Sequence, residues 1–76
     1  MSRKDAVLDL LALVTGLDAL ALRPEMDLVA DLGIDSPKAL RLLVEIEERF
    51  ALDIPDEDAA RMSTVGHLLD YVEARA

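Results

Sequence analysis

The chain of 76 residues has no cysteine and no tryptophan, and it has one phenylalanine, one tyrosine and one histidine. Without cysteine the chain can form no disulfide, no thiolate metal site and no cysteine nucleophile, so any thiol must come from an attached group. Aromatic residues, which favour strands, are nearly absent, whereas leucine and alanine favour helices. The composition therefore predicts an all-α fold.

Long apolar runs are also missing, because no stretch reaches the ~20 consecutive apolar residues of a membrane span. Residues 1–5 lead into an amphipathic segment rather than a signal peptide. We therefore expect a cytoplasmic protein. With 53% hydrophobic residues the chain can build one compact core, so residues 1–76 are predicted to form a single domain.

Positive charge is scarce, and the formal net charge is -8. The acidic excess lies in residues 17–35 and 52–58. Such a surface repels the phosphates of nucleic acids and of anionic lipids, which argues against partners of either kind. It suits basic protein partners, although acidic surface also serves solubility alone.

Apolar residues at helical spacing over residues 5–15 predict a first helix, with Asp5 as its cap and Gly16 at its end. The long connection 17–35 that follows is interrupted by proline and glycine. Long ordered loops are commonly functional or are held by their own side chains. The candidates for holding this one are Leu20, Leu22, Leu28 and Leu32.

A second helix is predicted over residues 37–50, with Ser36 as its N-cap and Pro37 at its first position. Its wheel places one set of apolar residues on a single side, namely Ala39, Leu40, Leu42, Leu43, Ile46 and Phe50. A short helix over 56–61 and a last helix capped by Ser63 or Thr64 complete the plan. The prediction is three longer helices, one short helix and a long first loop.

Little in the sequence is typical of catalysis. His67 is predicted to face solvent opposite the apolar side of its helix, where a role as ligand or base is uncommon. The carboxylates of residues 53–58 lack the alternating spacing and the loop glycine of an EF-hand. We therefore predict no catalytic residue and no metal site in the chain itself.

The segment of residues 31–36 places a serine hydroxyl at the exposed start of a helix. Gly33 permits a tight turn, and Asp35 adds a carboxylate beside the hydroxyl. The helix N-terminus would tolerate a phosphate linked to Ser36. On local chemistry alone, however, simple helix capping by Ser36 is the favoured interpretation.

This segment resembles the attachment motif D-x-G-x-D-S of the acyl carrier protein family, and reads Asp31-Leu32-Gly33-Ile34-Asp35-Ser36. The spacing fits family members without gaps from about Pro24 to Val72. The further matches are Glu47-Glu48, Phe50, Ile54-Pro55-Asp56-Glu57-Asp58-Ala59, Ser63-Thr64-Val65 and Asp70-Tyr71-Val72. This combination is specific, and it favours attachment at Ser36 over capping.

The resemblance implies a free-standing, monomeric, right-handed four-helix bundle that is not an enzyme. It implies that a phosphopantetheinyl transferase moves 4′-phosphopantetheine from coenzyme A to Ser36, with Asp35 beside the attachment point. The thiol of the arm would hold acyl groups as thioesters. The other implied partners are acyl synthases and acyltransferases or acyl ligases.

In this family the acyl chain can enter between the helices. The resemblance then implies a lining made of Val7, Leu32, Leu40, Leu43, Ile46, Phe50, Ala59, Met62, Leu68 and Tyr71. These residues would equally serve as plain core.

The second helix is the docking surface of the family, and here it would present Pro37, Lys38, Arg41, Val44 and Glu48. The sequence departs from the family in this helix. Pro37 replaces the usual leucine, and Lys38 and Arg41 replace acidic residues. We interpret this as a specialised partner set, that of a dedicated carrier in a secondary-metabolite or modified-lipid pathway rather than the housekeeping fatty acid carrier. The alternative is an intrahelical ladder of Arg41, Glu45 and Arg49.

Two other functions stay open at this point. One is an aminoacyl or peptidyl carrier that is loaded by an adenylating enzyme. The other is a helical adaptor that binds a partner through the second helix and has no prosthetic group.

Overall fold

The computed structural model describes residues 2–75, which form four α-helices and one short 3-10 helix. The α-helices are α1 (Arg3–Thr15), α2 (Ser36–Phe50), α3 (Asp56–Arg61) and α4 (Val65–Arg75). The 3-10 helix, Ala19–Ala21, lies in the long connection between α1 and α2. The predicted all-α fold with three longer helices, one short helix and a long first loop is confirmed.

The start of α1 corrects one prediction, because Ser2 rather than Asp5 is the N-cap. The Ser2 hydroxyl accepts a hydrogen bond from the Asp5 N–H at 3.1 Å, and the Asp5 carboxylate accepts one from the Ser2 N–H at 3.4 Å. This reciprocal pair is a capping box. At the other end Gly16 adopts φ 78°, the left-handed conformation that glycine accommodates, and ends the helix as predicted.

The core lies where α1 packs against both α2 and α4. The predicted apolar face of α1 is buried, and its members are Val7, Leu10, Leu11 and Val14. The largest fully buried side chains of the described residues are Leu11, Ile46, Leu68, Val7, Val65 and Val72. Burial of each such aliphatic side chain contributes roughly 1.5–3 kcal/mol, which makes this layer the main source of stability.

Two leucines predicted to face inward are exposed instead. Leu40 is 65% exposed, because the buried side of α2 is centred on Leu42 and Ile46 and Leu40 lies at its edge. Leu20 is 95% exposed on the outer side of the 3-10 turn that Asp18 caps. The other three leucines proposed to hold the loop, Leu22, Leu28 and Leu32, are buried.

The first turn of α4 is tied to the long loop by backbone hydrogen bonds. Val65 N–H donates to Met26 O at 3.0 Å and Gly66 N–H donates to Pro24 O at 2.8 Å. Thr64 caps α4, since its hydroxyl accepts from the His67 N–H at 3.1 Å. His67 is exposed, as predicted. Within residues 2–75, every helix falls short of the length and apolar character that a membrane crossing needs.

Candidate functional site

Ser36 is the first residue of α2, and its side chain is exposed. The prediction that it caps the helix is wrong, because Asp35 is the N-cap and its carboxylate accepts the Lys38 N–H at 3.0 Å. No hydrogen bond to another described residue engages the Ser36 hydroxyl. The capping function is thus carried by Asp35, and the neighbouring hydroxyl is left available for reaction.

A network of short-range hydrogen bonds shapes the loop that leads to Ser36. The Asp27 carboxylate accepts the N–H groups of Val29 and Ala30 at 2.9 and 2.7 Å. Asp31 in turn accepts the Asp27 N–H at 2.7 Å. This role of Asp27 was not predicted, although aspartate commonly forms turns by accepting the N–H group two residues later. These hydrogen bonds stabilise the conformation of the loop before the serine.

The last turn of this loop requires glycine and then an apolar anchor. Gly33 has φ 69°, which L-residues with side chains seldom adopt. Ile34 follows with only 4% of its side chain exposed, and its N–H donates to Leu28 O at 3.1 Å. These contacts fix the chain immediately before Asp35 and Ser36.

An apolar cavity of about 400 Å³ opens beside Ser36, between the loop, α2, α3 and the start of α4. Its lining is almost entirely aliphatic and consists of Leu28, Val29, Ile34, Asp35, Ser36, Ala39, Leu42, Leu43, Asp56, Ala59, Ala60, Met62 and Leu68. The Asp35, Ser36 and Asp56 side chains supply the polar part of this lining. An exposed hydroxyl thus lies next to a space suited to an alkyl chain.

The structure brings part of the predicted lining to this cavity and places the rest elsewhere. Leu43, Ala59, Met62 and Leu68 line it. Leu32 and Ile46 are buried in the core, where Val7 also lies, and Phe50 packs half-buried against that core. Leu40 is on the outer surface of α2, because it lies at the edge of the buried side. Tyr71 faces a different, shallower depression on the far side of α3.

Sequence reasoning missed several lining residues, chiefly Leu28, Val29, Ile34, Ala39, Leu42, Asp56 and Ala60. Helical spacing from Ser36 could have found two of them. Ala39 is three residues after Ser36 and therefore lies close to it on the helix surface, and Leu42 is three residues further. The loop members carry no such periodic signal.

The short helix α3 forms one wall of the cavity and is attached to α4 by side chains. The Tyr71 hydroxyl donates to Asp58 Oδ2 at 2.7 Å, and the Arg75 guanidinium lies 3.9 Å from the Tyr71 ring centroid. Arg75 also approaches Asp58 at 3.9 Å. The pKa of the Tyr71 phenol is raised above its ordinary value, mainly by partial burial and secondly by the hydrogen bond to Asp58. The neutral phenol therefore tethers α3.

The residues predicted to form a docking surface on α2 are all accessible. Pro37, Lys38, Arg41 and Glu48 are exposed, and Val44 is 42% exposed. Exposed Leu40 lies on the same surface, one helical turn before Val44. We call this set, Pro37, Lys38, Leu40, Arg41, Val44 and Glu48, the α2 face.

Comparison with known proteins agrees with this arrangement. Residues 5–72 match the family model described as "Phosphopantetheine attachment site". The chain belongs to the acyl carrier protein family. The family resemblance noted from residues 31–36 onward is thereby confirmed, and membership implies a covalently attached 4′-phosphopantetheine.

Individual relatives support the same assignment over nearly the whole chain. An acyl carrier protein of Clostridium acetobutylicum is 36% identical over 92% of this chain and 91% of its own length. One from Chlorobium phaeobacteroides is 38% identical over 91% of this chain and 88% of its own length. Among solved structures, a Mycobacterium tuberculosis protein proposed to be an acyl carrier protein superposes with a TM-score of 0.90. That match has 29% identity and covers 96% of this chain and 97% of the other.

Proposed function

We propose that Ser36 carries the 4′-phosphopantetheine and that residues 1–76 act as one acyl carrier domain. Its task is to present acyl thioesters to partner enzymes of fatty acid, polyketide or related specialised biosynthesis, without catalysing a reaction itself. The main support is an exposed Ser36 hydroxyl, released from helix capping by Asp35, at the rim of an apolar cavity.

The residues around Ser36 fit the attached group. A phosphate on this hydroxyl would lie at the first turn of α2, a helix of 15 residues whose N-terminus attracts negative charge. When bound, the arm supplies a terminal thiol to which acyl groups are linked as thioesters. The Asp35 carboxylate already holds the Lys38 N–H. We therefore assign the base that takes the Ser36 proton to the transferase rather than to Asp35, and its magnesium would polarise the phosphate that is transferred.

The cavity beside Ser36 is the proposed site for the acyl chain. Leu43, Ala59, Met62 and Leu68 present aliphatic surface there, and α3 closes one side. Each methylene group moved from water into such a site gains about 0.8 kcal/mol. An alkyl cargo would therefore be held inside the domain between encounters with enzymes.

The α2 face is the proposed docking surface for the transferase and for acyl synthases, acyltransferases or ligases. It adjoins Ser36 directly, so an enzyme seated on it can reach the attached arm. Two of its side chains, Leu40 and Val44, are apolar and exposed. Burying them in a partner would be favourable because apolar surface would leave water.

Attachment is tested by the intact mass of the protein after incubation with coenzyme A, magnesium and a phosphopantetheinyl transferase. We expect the wild-type mass to rise by one phosphopantetheine and the Ser36→Ala mass to stay unchanged. Ser63→Ala is a matched control, because Ser63 is another exposed serine, and it should load like wild type. An unmodified wild type would contradict the proposal and favour an adaptor function. Modification of Ser36→Ala would contradict attachment at Ser36.

The cargo is tested on protein isolated from its native host. An intact mass that exceeds the holo mass by a fatty or polyketide acyl group would support an acyl carrier. An excess that matches an amino acid or a peptide would instead indicate an aminoacyl or peptidyl carrier.

A further inference from the structure

The charges along α2 are divided between its two halves. Residues 36–44 contain Lys38 and Arg41 and no carboxylate, whereas residues 45–49 contain three glutamates and one arginine. The half of α2 next to Ser36 is therefore positive in a chain whose formal net charge is -8. A local charge opposite in sign to the whole surface calls for a structural or a binding explanation.

The structural explanation would be an ion-pair ladder along the helix, and the structure does not show it. Within residues 2–75, the salt bridge found is that of Arg75 with Asp58, and none joins Arg41, Glu45 or Arg49 at 4.0 Å or less. Lys38 and Arg41 are likewise exposed and without a carboxylate partner in that part of the chain. Both cations are thus available to a second molecule.

The position of these cations connects them with Ser36. Arg41 lies on the α2 face four residues after Pro37 and three residues before Val44, so the three side chains are neighbours on the helix surface. Lys38, three residues before Arg41, lies at the edge of the face. Leu40, 65% exposed, and Val44, 42% exposed, are apolar members of the same face, one on each side of Arg41 along the chain. A partner that reaches the Ser36 hydroxyl along this face must cover Arg41.

Carboxylates lie on the other side of Ser36. Asp31 is exposed in the loop, and Asp56 and Glu57 are exposed at the start of α3. The surface around the attachment point is therefore positive towards α2 and negative towards α3. Such a pattern fixes the orientation of a partner, because a partner turned around would place like charges together.

We infer that the enzyme docking on the α2 face has an acidic patch opposite Arg41 and Lys38, next to an apolar patch opposite Leu40 and Val44. This inference rests on the proposed function, since it concerns enzymes that act on an arm attached at Ser36. It identifies the partner by its chemistry: an acyl-transferring or condensing enzyme with carboxylates beside the entrance to its active site.

The test uses the holo-protein and two forms of one β-ketoacyl synthase. One form has a carrier-docking patch of lysines and arginines, and in the other form these residues are replaced by glutamates. Dissociation constants are measured for wild type, Arg41→Glu and Lys38→Glu/Arg41→Glu. Arg49→Glu is the matched control, because it makes the same charge change on α2 at the end of the helix that is far from Ser36.

We expect wild type to bind the glutamate form at least about fivefold more tightly than the basic form. The double variant should reverse this preference, Arg41→Glu should reduce it, and Arg49→Glu should keep it. The inference would be overturned if wild type preferred the basic form or bound neither form with any preference, which includes no binding at all. It would also be overturned if Arg49→Glu had the same effect as the changes at Lys38 and Arg41.

The mass assay separates this result from the carrier function. If the variants gain phosphopantetheine at Ser36 but show no charge preference, the acidic partner is wrong and the carrier function stands. If the wild type gains no phosphopantetheine, the carrier function fails and the inference about its partner fails with it.

Discussion

Two regions, the loop of residues 24–35 and the helix α3, form facing walls of the same cavity but are held in different ways. The loop is joined to its surroundings by main-chain hydrogen bonds, such as Leu28 N–H to Ser63 O at 2.9 Å. The six residues of α3 have no side-chain N-cap, and the Tyr71–Asp58 hydrogen bond joins them to α4. A helix this short is not stable without packing. The wall that positions Ser36 is therefore the firmer of the two, and the opposite wall is the easier to displace.

The sharpest test of this difference compares one cavity-lining residue from each wall. Ile34→Ala should lower the free energy of unfolding by about 3 kcal/mol, because Ile34 is 4% exposed and its truncation leaves a void. Met62→Ala at the end of α3 should cost about 1 kcal/mol, since Met62 is only half-buried and its site can close. Urea denaturation measures both. Equal costs would show that the two walls contribute alike.

A pair of glycines separates loop geometry from general stability. Gly33 and Gly16 both have positive φ, 69° and 78°, and a Cβ on either would meet no atom within 4 Å. Alanine at either position should therefore cost about 1 kcal/mol from backbone conformation alone. Only Gly33→Ala should also slow phosphopantetheine transfer several-fold, because it displaces the Ser36 hydroxyl from its position.

Initial rates of transfer, read by intact mass, measure this difference under conditions where both variants are folded. If Gly16→Ala slowed transfer as much as Gly33→Ala, the loop would have no special part in placing Ser36.

The smallest expected effect concerns the attachment of α3. Tyr71→Phe should lower the free energy of unfolding by about 0.5 kcal/mol at pH 8, because the hydrogen bond to Asp58 is lost in a partly exposed site. Amide hydrogen exchange in residues 56–61 should become faster, while exchange in the loop stays unchanged. This outcome would locate the weaker attachment at α3.

The stability difference between wild type and Tyr71→Phe depends on pH, and the direction of the change can be predicted. The pKa of Tyr71 is raised in the folded chain, so the folded state holds the phenolic proton more tightly than the unfolded state. The resulting stabilisation is complete below the ordinary tyrosine pKa of about 10 and is lost as the pH rises through the folded pKa. The stability difference between wild type and Tyr71→Phe should therefore shrink between pH 8 and pH 11. A constant or growing difference in urea denaturation would contradict the role of the neutral phenol.

The sequence predicted the helices well because their apolar residues recur at helical spacing. The buried face of α1, and Leu42 and Ile46 in α2, follow directly from that period. Periodicity did not determine the edges of a face. Leu40 lies at such an edge, and whether it is buried depends on which neighbouring helix is present there, so a helix wheel alone could not place it.

The site was predicted unevenly for a similar reason. The attachment motif singled out Ser36, but local preference made it the cap, whereas the structure shows Asp35 in that position. Serine and aspartate are nearly equal as N-caps, so adjacent candidates cannot be ranked from sequence. Among the loop members of the cavity, Leu28 is placed by a main-chain bond to the distant Ser63, and Ile34 by a main-chain bond to Leu28 within the loop. Such bonds leave no pattern in the sequence.

The capping bond between Asp35 and Lys38 has a consequence for repeated use of the domain. If the proposed attachment hydroxyl of Ser36 also capped the N-terminus of the helix, every addition or removal of the prosthetic arm would disturb its first turn. In the proposed carrier the two tasks belong to adjacent side chains. The apo and holo forms should therefore keep the same α2 terminus, and a partner enzyme would meet an unchanged helix at each stage of the cycle.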